Sequence, residues 1–376
     1  MRLAFVSIMG GAAWAACEEL WADAARSALA AGHEVLVSVY ERSANAPQIL
    51  QLRAAGAQID LRSFNRWLRK SATLTTLAGT FGALERFGAD AICISQGGTY
   101  DVARSGNMQV LRRVLERTQI PYVLLCHCEQ SGPHGLKKRR AQRVFAAASV
   151  IGVLSRNLRE LSEQHLAMGL GNARIFQNPL RSLNFEYLAW PAQEILRLAF
   201  VGRLDRVKGI DLLIDALAAL PWRERKWRLT LCGVGPEEAA LRQRAQAAGI
   251  GERITFAGFV TDVVEVWRHH HVLTMSSRLE GIPIAITEAM LCGRPVIATD
   301  IGGIREALSD GASGFLIEKP TLEAVAKALE RCWERRDALE SMGRTAYEST
   351  RAGLDPQPGG TLVRWLTGSK TAPESH

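Results

Sequence analysis

Two glutamates, Glu280 and Glu288, stand eight residues apart in the stretch Ser276–Gly303, SSRLEGIPIAITEAMLCGRPVIATDIGG. Apolar runs at Val272–Met275 and Pro295–Thr299 read as strands, and Ile284–Leu291 as a short buried helix. Eight helical residues make about 800° of rotation at 3.6 residues per turn, but Glu280 precedes the Gly-Ile-Pro turn. One carboxylate therefore lies on a loop at a strand's C-terminal end, and the other inside the next helix. Gly281–Pro283 sits where a helix N-terminus presents free N–H donors to an anion. This combination suits a phosphorylated, hydroxyl-rich ligand.

Three further loops carry chemistry. In Gly202–Gly209, Arg203 and Lys208 bracket a turn between a strand and a helix. A forked guanidinium and a compact ammonium together suit a diphosphate; a charged surface turn needs the same residues, and the loop alone leaves both readings open. Gly233–Pro236 has small residues that allow close approach of a flat or anionic group, and Gly302-Gly303 marks another strand-to-helix turn. Met9-Gly10-Gly11-Ala12 is a similar glycine turn near the N-terminus.

The elements that must position these loops alternate between apolar strands and helices. That pattern implies parallel sheets covered on both faces. The chain of 376 residues suits two domains. Residues 1–185 read as an N-terminal Rossmann-like domain. Residues 195–352 read as a C-terminal one, and 353–376 as a segment returning to the first domain. The fold class is α/β: two doubly wound parallel-sheet domains facing across a cleft, with the chemical loops beyond the strands' C-terminal ends. A helix is expected over Thr73–Phe87, and a flexible loop at Gln96–Asp101. Thr321–Arg351 should be mostly helical, broken by Gly353 and Pro356–Gly360. A last short helix is expected at Thr361–Thr367, and a disordered tail after Gly368.

Apolar residues are 47% and charged residues 22%, as in an ordinary soluble enzyme. The net charge of +8 is local: residues 1–190 hold 22 Lys and Arg against 14 Asp and Glu. Lys137-Lys138-Arg139-Arg140 with Arg143 reads either as a solvated helix face or as a docking face for an anionic membrane or phosphorylated acceptor. No nucleic-acid motif accompanies the charge. Seven scattered cysteines fit a reducing compartment. Cys126-His127-Cys128 lacks zinc-ligand spacing and His269–His271 reads as structural, so no metal is expected. The first twenty residues run on into an amphipathic helix at Glu18–Ala31, against a signal peptide, and no apolar run reaches the ~20 residues of a membrane span. A cytoplasmic location, peripheral on the inner face of a membrane, is the expectation.

Taken together, FVGRLDRVKG, LCGVGPE, ITFAGFV and SSRLEGIPIAITEAMLCGRPVIATDIGG closely resemble the nucleotide-sugar half of retaining glycosyltransferases of family four, the group 1 type with the GT-B fold. The resemblance spans about Leu198–Glu318. It implies that Arg203 and Lys208 hold a donor diphosphate, that Glu288 bonds the ribose hydroxyls and that Glu280 lies beside the sugar ring. Backbone N–H groups between Gly281 and Ile284, those of Gly281, Ile282 and Ile284, would meet sugar and phosphate, with Pro283 shaping the same turn. Gly233 would approach the donor, and the Phe259-Val260 loop would cradle the base. In the first half, Glu18-Glu19-Leu20-Trp21 is similar to part of a Gly-Gly-Ser-Glu-Glu-Leu-Trp signature. Here Ala15-Ala16-Cys17 replace its first three residues, while Gly10 and Gly11 lie earlier. A family histidine near the sugar's 6-position maps best onto His127.

The resemblance implies a hexosyltransferase that needs no cofactor and no protein nucleophile. A UDP-, GDP- or ADP-hexose would be the donor, and a saccharide or lipid-linked molecule the acceptor, in bacterial polysaccharide or glycoconjugate synthesis. Two other readings stay open: a GT-B sugar-nucleotide epimerase or hydrolase, and a non-catalytic donor-binding module of a polysaccharide-assembly complex.

Overall fold

In the computed structural model the described residues are 1–10, 13–63, 81–104, 108–180, 185–191 and 194–368. The chain divides into two compact units, Met1–Pro179 with Asp355–His376, and Leu180–Leu354.

The first unit holds strands β1 (Arg2–Ser7), β2 (Glu34–Tyr40), β3 (Gln58–Arg62), β4 (Ala91–Gln96), β5 (Tyr122–Cys126), β6 (Val150–Val153) and β7 (Ala173–Ile175). They form one parallel sheet in the order β3-β2-β1-β4-β5-β6-β7. The central strands β4 and β5 are buried along their whole length because both faces are covered, whereas the edge strands β3 and β7 carry charged, partly exposed residues. Leu20, Trp21, Leu362 and Leu366 pack on one face, and Leu111, Phe145 and Leu158 on the other.

The final helix runs over Pro358–Thr367, with Pro358 in its first turn. The chain breaks after Ala352 as expected, but the last helix starts at Pro358 and not at Thr361, because a proline's fixed φ and missing N–H suit a helix start. Gly359 lets this helix approach Glu19–Ala30 closely. Its N–H donates to Asp23 Oδ2 at 3.0 Å, and a Cβ there would fall 2.4 Å from the same oxygen.

The second unit holds β8 (Leu196–Val201), β9 (Trp227–Cys232), β10 (Ile254–Gly258), β11 (Val272–Met275), β12 (Val296–Thr299) and β13 (Gly314–Ile317). This sheet is parallel, in the order β10-β9-β8-β11-β12-β13. Its core includes Phe200, Trp227, Trp267 and Phe315. Arg294 is fully buried; its guanidinium donates to the carbonyls of Trp267 (2.8 Å), Leu188 (3.2 Å) and Ala189 (2.7 Å), fastening the segment before β8 to the core.

Other expectations change in detail. Gln96–Asp101 is not a flexible loop. Gln96 ends β4, Thr99 and Tyr100 are buried, and the Gly98 N–H donates to Asp101 Oδ2 at 2.8 Å. Asp101–Arg104 is a short helix. The described part of the helix expected at Thr73–Phe87 is Gly82–Phe87; the rest lies outside the described residues, as does the tail after Gly368. Thr321–Arg351 holds two helices, Leu322–Glu334 and Leu339–Ala352. Among the described residues no helix is long and apolar enough to cross a membrane.

Candidate functional site

The second sheet reverses its strand order between β8 and β11. Doubly wound sheets bind ligands outside the strand C-termini at such a point. The loops leaving these two strands carry Arg203, Lys208 and Glu280. Lys208 closes the single helical turn Arg206–Lys208, capped by Asp205, which accepts from the Val207 N–H at 3.3 Å. Gly209 follows with φ +64°, and helix Ile210–Ala218 begins after it. A Cβ on Gly209 would lie 1.9 Å from the Ser276 carbonyl oxygen, and Ser276 Oγ donates to the Gly209 carbonyl at 2.7 Å.

Backbone contact between the two loops brings Lys208 Nζ within 2.6 Å of Glu280 Oε1. Ser277 Oγ donates to the same oxygen at 2.8 Å. Glu280 is 9% exposed and the Lys208 side chain 21%. Arg203 is far more exposed and pairs with Asp205. Each cation thus already has a carboxylate beside it, and an incoming diphosphate would have to compete for both.

Sequence reasoning missed the strap that fixes this geometry. The Arg278 guanidinium donates to both carboxylate oxygens of Asp211, at 2.8 and 2.7 Å, and to the Arg206 carbonyl at 2.8 Å. Its backbone N–H donates to the Val207 carbonyl at 2.7 Å. Burial pushes the Asp211 carboxyl up, but the Arg278 guanidinium outweighs it and holds the group below the usual carboxylate range. The one signal was an acidic residue in a helix's first turn, which favours the helix by itself.

The neighbouring loops stack by glycine. A Cβ on Gly233 (φ +152°) would fall 1.8 Å from the Gly202 carbonyl, and one on Gly235 2.1 Å from that of Leu204. The Gly233 N–H donates to the Gly258 carbonyl at 2.7 Å. Val260 is half-buried beside Phe259, which is 72% exposed. Val207, Val234 and Leu279 are exposed too, so four successive strand ends, β8 to β11, each present an apolar side chain to solvent.

Behind Glu280, the Gly303 N–H donates to the Gly281 carbonyl at 3.0 Å, backing the Gly281-Ile282-Pro283 turn. Pro283 precedes helix Ile284–Leu291. Glu288 lies within that helix, fully buried.

In the first unit the order reverses between β1 and β4. Gly10 follows β1, and its carbonyl accepts from the Arg42 guanidinium. Gly11 lies outside the described residues. His127 follows β5 and is 5% exposed. Its Nε2 lies 3.3 Å from Ser95 Oγ and its ring stands edge-on to Phe176 at 5.0 Å. Burial pushes its pKa down to about 3, so the imidazole is neutral.

Sequence reasoning quoted Glu18 in a signature but missed its burial, and it missed Arg62 altogether. Glu18 is 1% exposed, and burial pushes its carboxyl up to about 7 against hydrogen bonds from Ser7 and Cys17 and the charge of Arg62. Arg62 ends β3, donates to the carbonyls of Ser7 and Ser38, and lies over the rings of Tyr40 and Phe81 at 4.4 and 4.8 Å. Of the three adjacent histidines, His270 Nε2 lies 2.8 Å from Thr230 Oγ1, and His271 bonds the Arg197 N–H and the Pro191 carbonyl. Both serve the structure of the second unit.

Known proteins resemble this chain in part by sequence and over nearly its whole length by fold. A D-inositol 3-phosphate glycosyltransferase of Gordonia bronchialis is 32% identical over 160 residues, 40% of this chain and 35% of the relative. A lipopolysaccharide core biosynthesis mannosyltransferase of Rhizobium meliloti is 32% identical over 145 residues, 37% of this chain and 41% of the relative. The chain thus spans about two fifths of the length of these relatives. Among solved structures, Anabaena Alr3699/HepE in complex with UDP and glucose has a TM-score of 0.76 at 20% identity, covering 98% of this chain and 99% of that one. The lipopolysaccharide outer core galactosyltransferase WaaB, in its apo form, has a TM-score of 0.69 at 15% identity over 98% of this chain and 100% of that one. The whole chain therefore shares the GT-B fold of these structures, and residues 191–349 match the family model of glycosyl transferases group 1.

Proposed function

We propose that this chain is a retaining glycosyltransferase of family four that moves a hexose from a nucleotide diphosphate sugar to a saccharide or lipid-linked acceptor. The observation that carries the reading is the Lys208–Glu280 pair at the β8/β11 reversal. It sets a cation and a largely buried carboxylate on adjoining loops, with Arg203 on the same loop as Lys208. Solved proteins of this fold are named as complexes with UDP and UDP-glucose, which makes UDP-hexose the first donor to test.

In this reading Lys208 and Arg203 bind the diphosphate and oppose the charge that develops as the sugar leaves. Glu280 anchors a sugar hydroxyl or stabilises the cationic ring. The acceptor hydroxyl attacks from the face the diphosphate leaves, and a departing phosphate oxygen takes its proton. Phe259 and Val260 offer the base an apolar seat, with Gly233 allowing close approach. Glu288 is the ribose ligand; because its carboxylate is buried, the ribose reaches it only once its cover moves. His127 and Gly10 belong to the acceptor side, and the buried neutral imidazole donates or accepts one hydrogen bond there. The protein acts in the cytoplasm, with the basic helix Gly135–Ala147 toward an anionic membrane.

Thermal melts with UDP-, GDP- and ADP-hexoses test this, because a ligand of the folded state raises the midpoint. Stabilisation by one of them, lost in Arg203→Ala and Lys208→Ala, is expected. Unchanged donor kinetics in Arg203→Ala, Lys208→Ala and Glu288→Ala would remove the assignment. Donor consumption without an acceptor would favour an epimerase or hydrolase, and binding without turnover a non-catalytic module.

A further inference from the structure

The loop after β1 carries an aromatic ring that the proposed reaction does not use. Trp14 is half-buried. Its indole N–H donates to Glu19 Oε1 at 2.7 Å. Gln48 Nε2, on the helix after β2, donates to that same oxygen at 3.0 Å. Behind it lies Trp21, fully buried, with ring centroids 5.6 Å apart. The indole is therefore oriented by a hydrogen bond that is itself braced, not only by packing. Arg42, exposed at the end of β2, donates to the Gly10 carbonyl of the same loop.

Hexose and cyclitol rings have a flat patch of C–H groups on one face and hydroxyls around the rim. A half-exposed indole suits the patch, since it is a broad, stiff apolar surface with little entropy to lose. The rim needs convergent donors and acceptors. Oε1 of Glu19 takes the Trp14 and Gln48 donors, which leaves Oε2 to accept from a hydroxyl, and the exposed Arg42 side chain sets a cation against the same loop. The position also suits a ligand, because these groups lie beyond the C-terminal ends of β1 and β2.

We propose that Trp14 is the floor of a site for a saccharide or cyclitol ring, with Glu19 and Arg42 at its rim. Naming that ring the acceptor rests on the transferase reading; ring binding itself does not.

Saturation-transfer NMR on the full chain tests it, with D-glucose, D-galactose, D-mannose, N-acetyl-D-glucosamine and myo-inositol as probes at millimolar concentration. At least one sugar should give signal. Trp14→Ala should weaken its binding about tenfold or more, while Trp14→Phe, which keeps an aromatic floor, stays within about threefold. Glu19→Ala should fall between them. UDP-induced thermal shifts on the same variants report the fold and the second unit. The proposal is overturned if none of the five sugars gives signal, or if Trp14→Ala leaves the signal unchanged. If UDP binding is absent while the Trp14-dependent signal persists, the transferase reading fails and the ring site stands.

Discussion

Lys208 Nζ lies 2.6 Å from Glu280 Oε1, although 72 residues separate the two in sequence. The contact exists because β8 and β11 are neighbours in the sheet and Gly209 lets their loops touch. Glu280 is nearly out of water, so removing the lysine leaves a poorly solvated carboxylate. Lys208→Ala should cost about 1–3 kcal/mol of stability, the range for a charge-assisted bond with one buried partner. Glu280→Gln, which keeps a carbonyl oxygen for Ser277, should cost less than that. Denaturant unfolding of both variants, beside their donor KM values, separates the structural part from the binding part.

Arg278 and Asp211 give the opposite expectation. Each side chain is about a third exposed, so the pair itself should contribute only about 0–1 kcal/mol. Its effect is positional, because the same guanidinium holds the Arg206 carbonyl of the turn that presents Lys208. Arg278→Ala should leave the melting midpoint within a few degrees while raising donor KM about tenfold. Asp211→Asn should reproduce that split, and the double variant should be no worse than Arg278→Ala alone. A KM equal to wild type in Arg278→Ala would show that the strap positions nothing.

Much of the fold was legible because parallel strands buried on both faces read as unbroken apolar runs. The candidate loops were legible because glycine stands wherever two backbones nearly touch, as at Gly209 and Gly233. The Arg278–Asp211 strap was not, since strand order alone brings together residues 67 apart. The burial of Glu18 and Arg62 escaped for a different reason: a charged residue reads as surface, and nothing in its neighbours announces that it is buried. Gln96–Asp101 misled because its glycines suggest freedom. The Asp101 and Gln130 side chains remove that freedom by bonding the Gly98 and Tyr100 N–H groups.

Gly209→Ala probes the contact between the two loops directly. The residue sits at φ +64°, and its added carbon would meet backbone, which cannot rotate away as a side chain could. The strained φ alone costs about 1–3 kcal/mol. The clash should add loop displacement, so donor affinity should fall further than stability does. Gly32→Ala, at φ +79° with nothing within 4 Å, is the control: it carries the strain without the clash. Equal donor affinity in the two variants would mean that the close approach is irrelevant to binding.

The basic helix Gly135–Ala147 exposes Lys137, Arg139, Arg140 and Arg143, and beside them Leu136 at 69% exposure. Basic residues near an anionic leaflet contribute roughly 1 kcal/mol each. Vesicles with anionic lipid should therefore retain the protein at low salt and release it as salt screens the charge. Charge reversal at Arg139 and Arg140 should abolish retention without changing donor binding. Equal retention on neutral and anionic vesicles would end the membrane proposal.

Glu18 and His127 make opposite contributions to the pH dependence of stability. The Glu18 carboxyl is raised from 4.5 to about 7, so between those values the folded chain binds more protons than the unfolded one. Stability from this group therefore falls as pH rises through that window. The His127 ring is lowered from 6.5 to about 3, so between those values the unfolded chain binds the extra proton. Stability from this group rises with pH there. The two slopes oppose each other between pH 4.5 and 6.5, and wild-type stability should be nearly flat with respect to this pair. Glu18→Gln exposes the histidine slope, with stability climbing from acid to neutral pH. His127→Asn exposes the glutamate slope, with stability declining toward pH 7. Urea midpoints measured across that range decide it. A Glu18→Gln profile parallel to wild type would show that the carboxyl titrates normally, and that Arg62 with Ser7 and Cys17 offsets its burial in full.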